Sequence, residues 1–240
     1  MLTSLESVTA YKYNSATTLL VAVFFGGIMQ GYRTLLSASL GEYEEKHSRF
    51  IAEMKPVSSE EEAIAFIKEQ KSKYWDARHN VYAYRLLSGE CRFSDDGEPH
   101  GTAGKPVLDI IVGRQLSDVC IVVTRYFGGI LLGTGGLVRA YSEAARDCVD
   151  NAIIAEMGLI DEFSLHCDYQ QHNRLVPFFT QLDIDITDTV FAEDVVVKFT
   201  LPREKSDDFL LNITDAFSGK ITPTKVGETF APINIIKNNK

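Results

Sequence analysis

The chain has 240 residues, with 24 Lys and Arg set against 33 Asp and Glu, for a formal charge of -9. A hydrophobic fraction of 45% and a charged fraction of 24% are those of a globular protein, which excludes a fibrous or wholly disordered chain. The acidic excess argues against indiscriminate binding to polyanions and leaves room for a local basic patch.

Residues 16–29 are nearly all apolar or small, with Lys12 before them. That is shorter than the run of about 20 apolar residues a membrane span requires. Three readings stand for it: an extension outside the folded domains or the native chain, a membrane-associating segment, or a secretion leader lacking a clear cleavage site. Met29 opens a stretch that reads like a natural start. Residues 1–40 are therefore assigned to an N-terminal extension.

From 49 to 54, Phe50, Ala52 and Met54 alternate with Arg49, Ile51 and Glu53, which predicts a half-buried strand ended by Pro56. Ser58 and Glu61 form a capping-box pattern. Ala63, Phe66, Ile67, Gln70 and Tyr74 follow at helical spacing, and Lys68, Lys71 and Lys73 crowd the far end. Residues 79–87 read as a strand, and 91–94 as its return. Residues 95–106 are dense in turn formers and predict a loop. Thr102 is placed to cap a short helix through Val107, Ile110 and Ile111, stopped at Gly113.

The continuous apolar run at 119–124 suits a central buried strand. A glycine-rich connection follows. Leu137, Ala140, Tyr141, Ala144, Ala145 and Cys148 then form a helical stripe reaching about residue 152. A boundary is expected at 157–161. Beyond it the pattern reads strand (163–169), helix (170–182, with Pro177 inside), two strands (184–191 and 195–201), helix (203–217) and strand (220–230). This βαββαβ order is that of the ferredoxin-like plan. The expected division is thus 1–40, 41–156 and 160–236, in an α+β chain. The four cysteines, Cys91, Cys120, Cys148 and Cys167, form no Cys-x-x-Cys pair and read as reduced packing residues.

Three stretches could carry chemistry. Asp95, Asp96, Glu98 and His100 could bind a hard cation or share a proton, but their spacing matches no known metal loop. An ordered recognition loop and a plain turn held by Asp side chains are the alternatives. The second stretch is Arg125 and Tyr126 leading into Gly128, Gly129, Gly133, Gly135 and Gly136. A glycine-rich loop feeding a helix can present successive N–H groups to an anion. Leu137 and Val138 stand where a P-loop has Lys-Ser/Thr, and close backbone packing explains glycines equally well. Arg125, Arg139 and Lys105 could supply positive charge there. The third is His79, which opens a strand and is more commonly a hydrogen-bonded structural residue. No nucleophile stands near a His and a carboxylate in any recognisable arrangement.

The segments KHSRFIA (46–52), HNVYAYR (79–85), DDGEPHGTAGKP (95–106) and RYFGGILLGTGGLVRAY (125–141) resemble, in order, the IMPACT/YigZ family. The resemblance is to the bacterial type, in which a second small domain follows. It implies a first domain like the second domain of ribosomal protein S5, a ferredoxin-like second domain, and a likeness to adjacent domains of the ribosomal translocase. The implied signature positions include Arg49, His79, Asp95, Asp96, Glu98, Thr102, Gly104, Arg125, Gly128, Gly129, Gly133, Gly135, Gly136 and Arg139.

The resemblance implies no catalytic residue, metal or cofactor. It implies a cytoplasmic protein linked to translation through RNA, the ribosome or a protein regulator. The leading expectation is a binding module in which Lys46, Arg49, Arg85, Lys105, Arg125 and Arg139 contact phosphate and Tyr126 or Phe127 stacks on a base. A phosphate- or nucleotide-binding enzyme using the loop at 128–136, and a protein-interaction regulator, are the alternatives. The leading expectation places the two glycine-punctuated loops side by side on one electropositive surface.

Overall fold

A computed structural model describes residues 31–237; the apolar stretch at 16–29 lies outside the described residues. The chain divides into two compact units, one of Tyr32–Glu156 with 234–237, the other of residue 31 with Met157–Ile233.

The first unit holds a five-stranded sheet in the order β2-β3-β6-β4-β5. Its strands are β2 (Ser39–Glu45), β3 (Ser48–Pro56), β4 (His79–Arg85), β5 (Cys91–Ser94) and β6 (Val119–Tyr126). β6 lies at the centre and pairs antiparallel with both β3 and β4. It reads as an unbroken apolar run because both of its faces are covered. Val119, Ile121 and Val123 enter one core with residues of the helices α2 (Gly104–Gly113) and α3 (Gly133–Asp150). Cys120 and Val122 enter another with α1 (Glu60–Lys73). The run is thus that of a two-faced strand, here in an antiparallel setting rather than the parallel one where such runs are usual.

Two expected caps are corrected. At α1 the N-cap is Ser59, whose side chain accepts from the Glu62 amide at 3.3 Å, and Glu62 Oε2 accepts from the Ser58 amide and hydroxyl. The pattern is shifted one residue from the Ser58/Glu61 pair. At α2, Thr102 caps nothing; its hydroxyl donates to the Pro99 carbonyl at 2.7 Å. Cys91 is exposed, while the other three cysteines are buried, and all four are free.

The strands β1 (Tyr32–Leu35) and β2 begin inside the segment expected to be an extension. The two units part between Glu156 and Met157, beside the boundary expected at 157–161, within a strand, β7 (Ile153–Cys167), that runs through it unbroken.

In the second unit, β7, α4 (Tyr169–Gln181), β8 (Ile186–Phe191), β9 (Val195–Pro202), α5 (Arg203–Ala216) and β10 (Thr224–Lys237) follow one another. The sheet places β10 beside β7, then β9, then β8. That is the fourth-first-third-second order of a ferredoxin-like unit. Phe163, Leu165, Val197 and Phe199 face Leu175, Phe179, Phe209 and Ile213 of the two helices. Phe179, Phe199 and Phe209 meet edge to face at 4.8 to 5.6 Å between centroids, a favoured aromatic geometry.

Candidate functional site

The motif residues gather at one end of the first sheet. Register pairs Arg125 with both Phe50 and His79, and Tyr126 with Arg49. The loop at 95–103 and the loop at 127–132 both start or end there.

The first of these loops is a strut. Asp95 accepts backbone N–H bonds from Gly101 (2.8 Å), Ala103 (3.1 Å) and Gly104 (2.8 Å). It thereby caps α2, whose own N-cap residue is Ala103. Burial pushes the Asp95 carboxyl up, but the three amides outweigh it and hold the group below the ordinary aspartate range. Asp96, at φ 45°, accepts from Lys71 Nζ and from the Asn80 amide, both at 2.7 Å. The Asp96 carbonyl lies 2.8 Å from His79 Nδ1. A carbonyl can only accept, so that nitrogen carries the proton. His79 is a positioning residue for this loop.

Glu98 turns inward. Its Oε1 accepts from Arg125 Nη1 at 2.6 Å and from the Tyr141 hydroxyl at 2.8 Å, and His79 Nε2 stands 3.9 Å away. The Glu98 and Arg125 side chains are only 4% and 7% exposed. Burial and the Glu98 charge both push the Tyr141 phenol upward, so it stays a donor. The Arg125 guanidinium also lies over the rings of Phe50 and Phe127, with centroids 5.5 and 5.6 Å away. The expectation that Arg125 meets phosphate is corrected: its charge is committed to Glu98 inside the domain.

Other cations are also committed. Arg49 donates to Glu42, Lys105 pairs with Asp109 one turn along α2, and Arg85 donates to the Leu116 carbonyl. Lys46, Arg78 and Arg139 are exposed and form no ion pair among the described residues. The surface is therefore mixed rather than broadly electropositive.

The second loop is open. Gly128 donates its amide to Ser48 Oγ, and a Cβ there would lie 2.1 Å from the His47 carbonyl carbon. This glycine is required by close approach to the β2–β3 turn. Gly129 and Gly133 have φ of +85° and +70°, in the region that favours glycine. Gly135 would meet nothing, and Gly136 would meet the Leu132 side chain. α3 starts after Leu132 with no side-chain cap and no acidic residue in its first turn. Its first N–H groups thus stand at an exposed, glycine-rich end.

Beside this loop the Tyr126 hydroxyl donates to Asp76 Oδ1 at 2.9 Å, tying β6 to the segment after α1. Trp75, the only tryptophan of the chain, is 82% exposed, as is Leu131; Phe127 and Ile130 are also exposed. The motif reading missed Trp75, Arg78, Ile130 and Leu131. The one available signal was a lone tryptophan just past the end of a charged helix. Among the described residues no group of His, Cys, Asp and Glu is placed to hold a metal ion, and no helix is long and apolar enough to cross a membrane.

These features define a two-domain α+β protein, with an S5-like first domain and a ferredoxin-like second. The Impact N-terminal domain matches residues 46–149, and a domain of unknown function, DUF1949, matches 165–220. The chain is 33% identical to the IMPACT family member YvyE of Bacillus subtilis over 203 residues, 84% of this chain and 93% of that one. It is 35% identical to the IMPACT family member YigZ of Escherichia coli over 182 residues, 74% of this chain and 89% of that one. The chain belongs to the IMPACT family. With Protein IMPACT of Xenopus laevis it shares 35% identity over 96 residues, only 37% of this chain and 30% of that protein. A crystal structure described as that of a hypothetical protein matches 83% of this chain and 99% of its own at 31% identity, with a TM-score of 0.53.

Proposed function

We propose that the chain is a cytoplasmic, translation-linked binding protein whose first domain docks on RNA, free or within the ribosome. The contact surface is the sheet end formed by residues 74–78, 126–132 and the turn at 46–47. One observation carries this reading: exposed rings and uncommitted cations share that end of an otherwise acidic chain. Trp75 and Phe127 offer faces on which bases can stack, a contact of about 1–3 kcal/mol per base. Lys46, Arg78 and Arg139 supply charge for phosphate. The open N–H groups at the start of α3 favour anions in the same direction.

Ribosome co-sedimentation and filter binding of single-stranded RNA at low salt test it. Binding should weaken steeply with salt, and Lys46→Glu with Arg78→Glu should reduce the salt dependence by about two ions. Absence of association at low salt, or association untouched by Trp75→Ala and the charge reversals, would remove the basis for the proposal.

A second reading is supported by Leu131 and Ile130, since aliphatic side chains held in solvent suit a protein partner better than a base. Partners that survive nuclease treatment and depend on Leu131 would favour a protein regulator in translation control.

A further inference from the structure

The second unit carries an exposed structure that the proposed RNA contact leaves unused. β8 pairs with β9 on one side only, and among the described residues no strand pairs with its other edge. A free edge exposes a row of backbone donors and acceptors that can template another strand. At the end of this edge three rings are held together in the open. Phe191 stacks on Tyr169 with centroids 6.3 Å apart and meets His172 edge-on at 5.4 Å. The Tyr169 hydroxyl donates to the Ala192 carbonyl at 2.8 Å, fixing its ring against the β8–β9 turn. Phe191 nevertheless remains 60% exposed.

Charge around this cluster is mostly negative. Between Gln181 and Lys198 the chain carries five carboxylates, Asp183, Asp185, Asp188, Glu193 and Asp194, and no Lys or Arg. Among the described residues, Asp188 alone of these has a cationic partner, Lys198 at 3.1 Å. Asp168, the N-cap of α4, joins them: it and Asp194 both push the Cys167 thiol upward, after burial, so both lie close to it. Two copies of this edge would set like charges against each other, which disfavours self-pairing.

We infer that the outer edge of β8, with Tyr169, His172 and Phe191, binds an extended segment rich in Lys and Arg, such as a basic protein tail. The segment adds a strand to the sheet through main-chain bonds. Its cations lie over the Tyr169 and Phe191 faces and near Glu193 and Asp194. The occupant is thus opposite in charge to that of the first domain, and its recognition does not depend on the RNA contact.

The probe is a short fluorescent peptide alternating lysine with valine, titrated into the full chain by anisotropy, beside a counterpart alternating glutamate with valine. The basic peptide should bind and the acidic one should not. Phe191→Ala should weaken binding about fivefold, and Glu193→Lys with Asp194→Lys about tenfold. Both sites are exposed, so thermal melting should be unchanged. Methylating every second backbone nitrogen of the peptide should abolish binding in one phase and spare it in the other, because a strand bonded on one edge uses alternate N–H groups. Three results would overturn the inference: equal binding of the acidic peptide, indifference to Phe191→Ala, or tolerance of methylation in both phases. Concentration-dependent dimerisation that blocks the peptide would overturn it as well, by assigning the edge to a second copy.

Discussion

The two glycine-punctuated loops of the first domain meet at one end of its sheet and behave as opposites. In the loop at 95–103, Asp95, Asp96 and Glu98 are all taken up within the domain, by three backbone amides, by Lys71 with the Asn80 amide, and by Arg125 with Tyr141. The loop at 127–132 carries no charged or polar side chain, and its apolar ones face out: Phe127, Ile130 and Leu131 are exposed ahead of an uncapped helix. Acidic side chains in a turn-rich loop therefore do not by themselves mark a ligand site. Here they satisfy donors that a tight chain reversal would otherwise bury unpaired. On the proposed reading, the contact with a ligand falls to the loop without charges.

The sharpest way to break this contrast is at the buried pair. Arg125→Ala leaves the buried Glu98 carboxyl without its cation, and should cost about 3–5 kcal/mol in urea unfolding. Replacing both with apolar residues of like volume, Glu98→Leu with Arg125→Met, should recover much of that loss. A cost for Arg125→Ala no larger than that of a surface change would return Arg125 to the list of ligand contacts.

The glycines divide the second loop itself. Gly128→Ala drives a methyl group into the backbone at His47 and should cost about 2–3 kcal/mol. Gly133→Ala, in open space but at positive φ, should cost about 1–2 kcal/mol. Gly135→Ala, helical and unobstructed, should stabilise by about 0.5–1 kcal/mol. The same unfolding measurements rank the three; an equal response at all of them would mean that close approach does not set the loop.

Asp95 sharpens the contrast by pH. Its carboxyl titrates below the usual range when folded, so its contribution is complete above the unfolded value of about 3.9. It is lost as pH falls through the lower folded value. Asp95→Asn should therefore cost about 1 kcal/mol at neutral pH, in line with other lost caps. The gap to the unsubstituted protein should close in acid; a gap that persists there would deny the carboxylate its role.

How far such features could be read in advance depended on their range in sequence. The α3 stripe and the two-faced β6 are local periodicities, each visible in a window of a dozen residues, and the βαββαβ order of the second unit is a succession of such windows. The cap of α2 is not, because Asp95 stands eight and nine residues before the amides of Ala103 and Gly104. The one-residue error at α1 came from two adjacent serines, Ser58 and Ser59, that offer the same chemistry. Arg125 and Glu98 are 27 residues apart, and only the pairing of β4, β5 and β6 brings them together. The end of the sheet was legible as a place, but not the division of labour within it, because inward and outward side chains in a loop obey no period.

The smallest effect on stability is expected where the largest effect on binding is. Leu131 is 82% exposed and follows Gly129 and Ile130 in a loop held by Gly128 at one end and α3 at the other. Leu131→Ser removes little buried area, so unfolding should change by less than about 0.5 kcal/mol. If this loop is the docking element, the same substitution should still weaken capture of ribosomes or of a protein partner. Arg125→Ala would lower capture only in step with the folded fraction. Capture that follows stability in both variants would place the contact elsewhere, since a surface that binds through exposed side chains must lose binding without losing its fold.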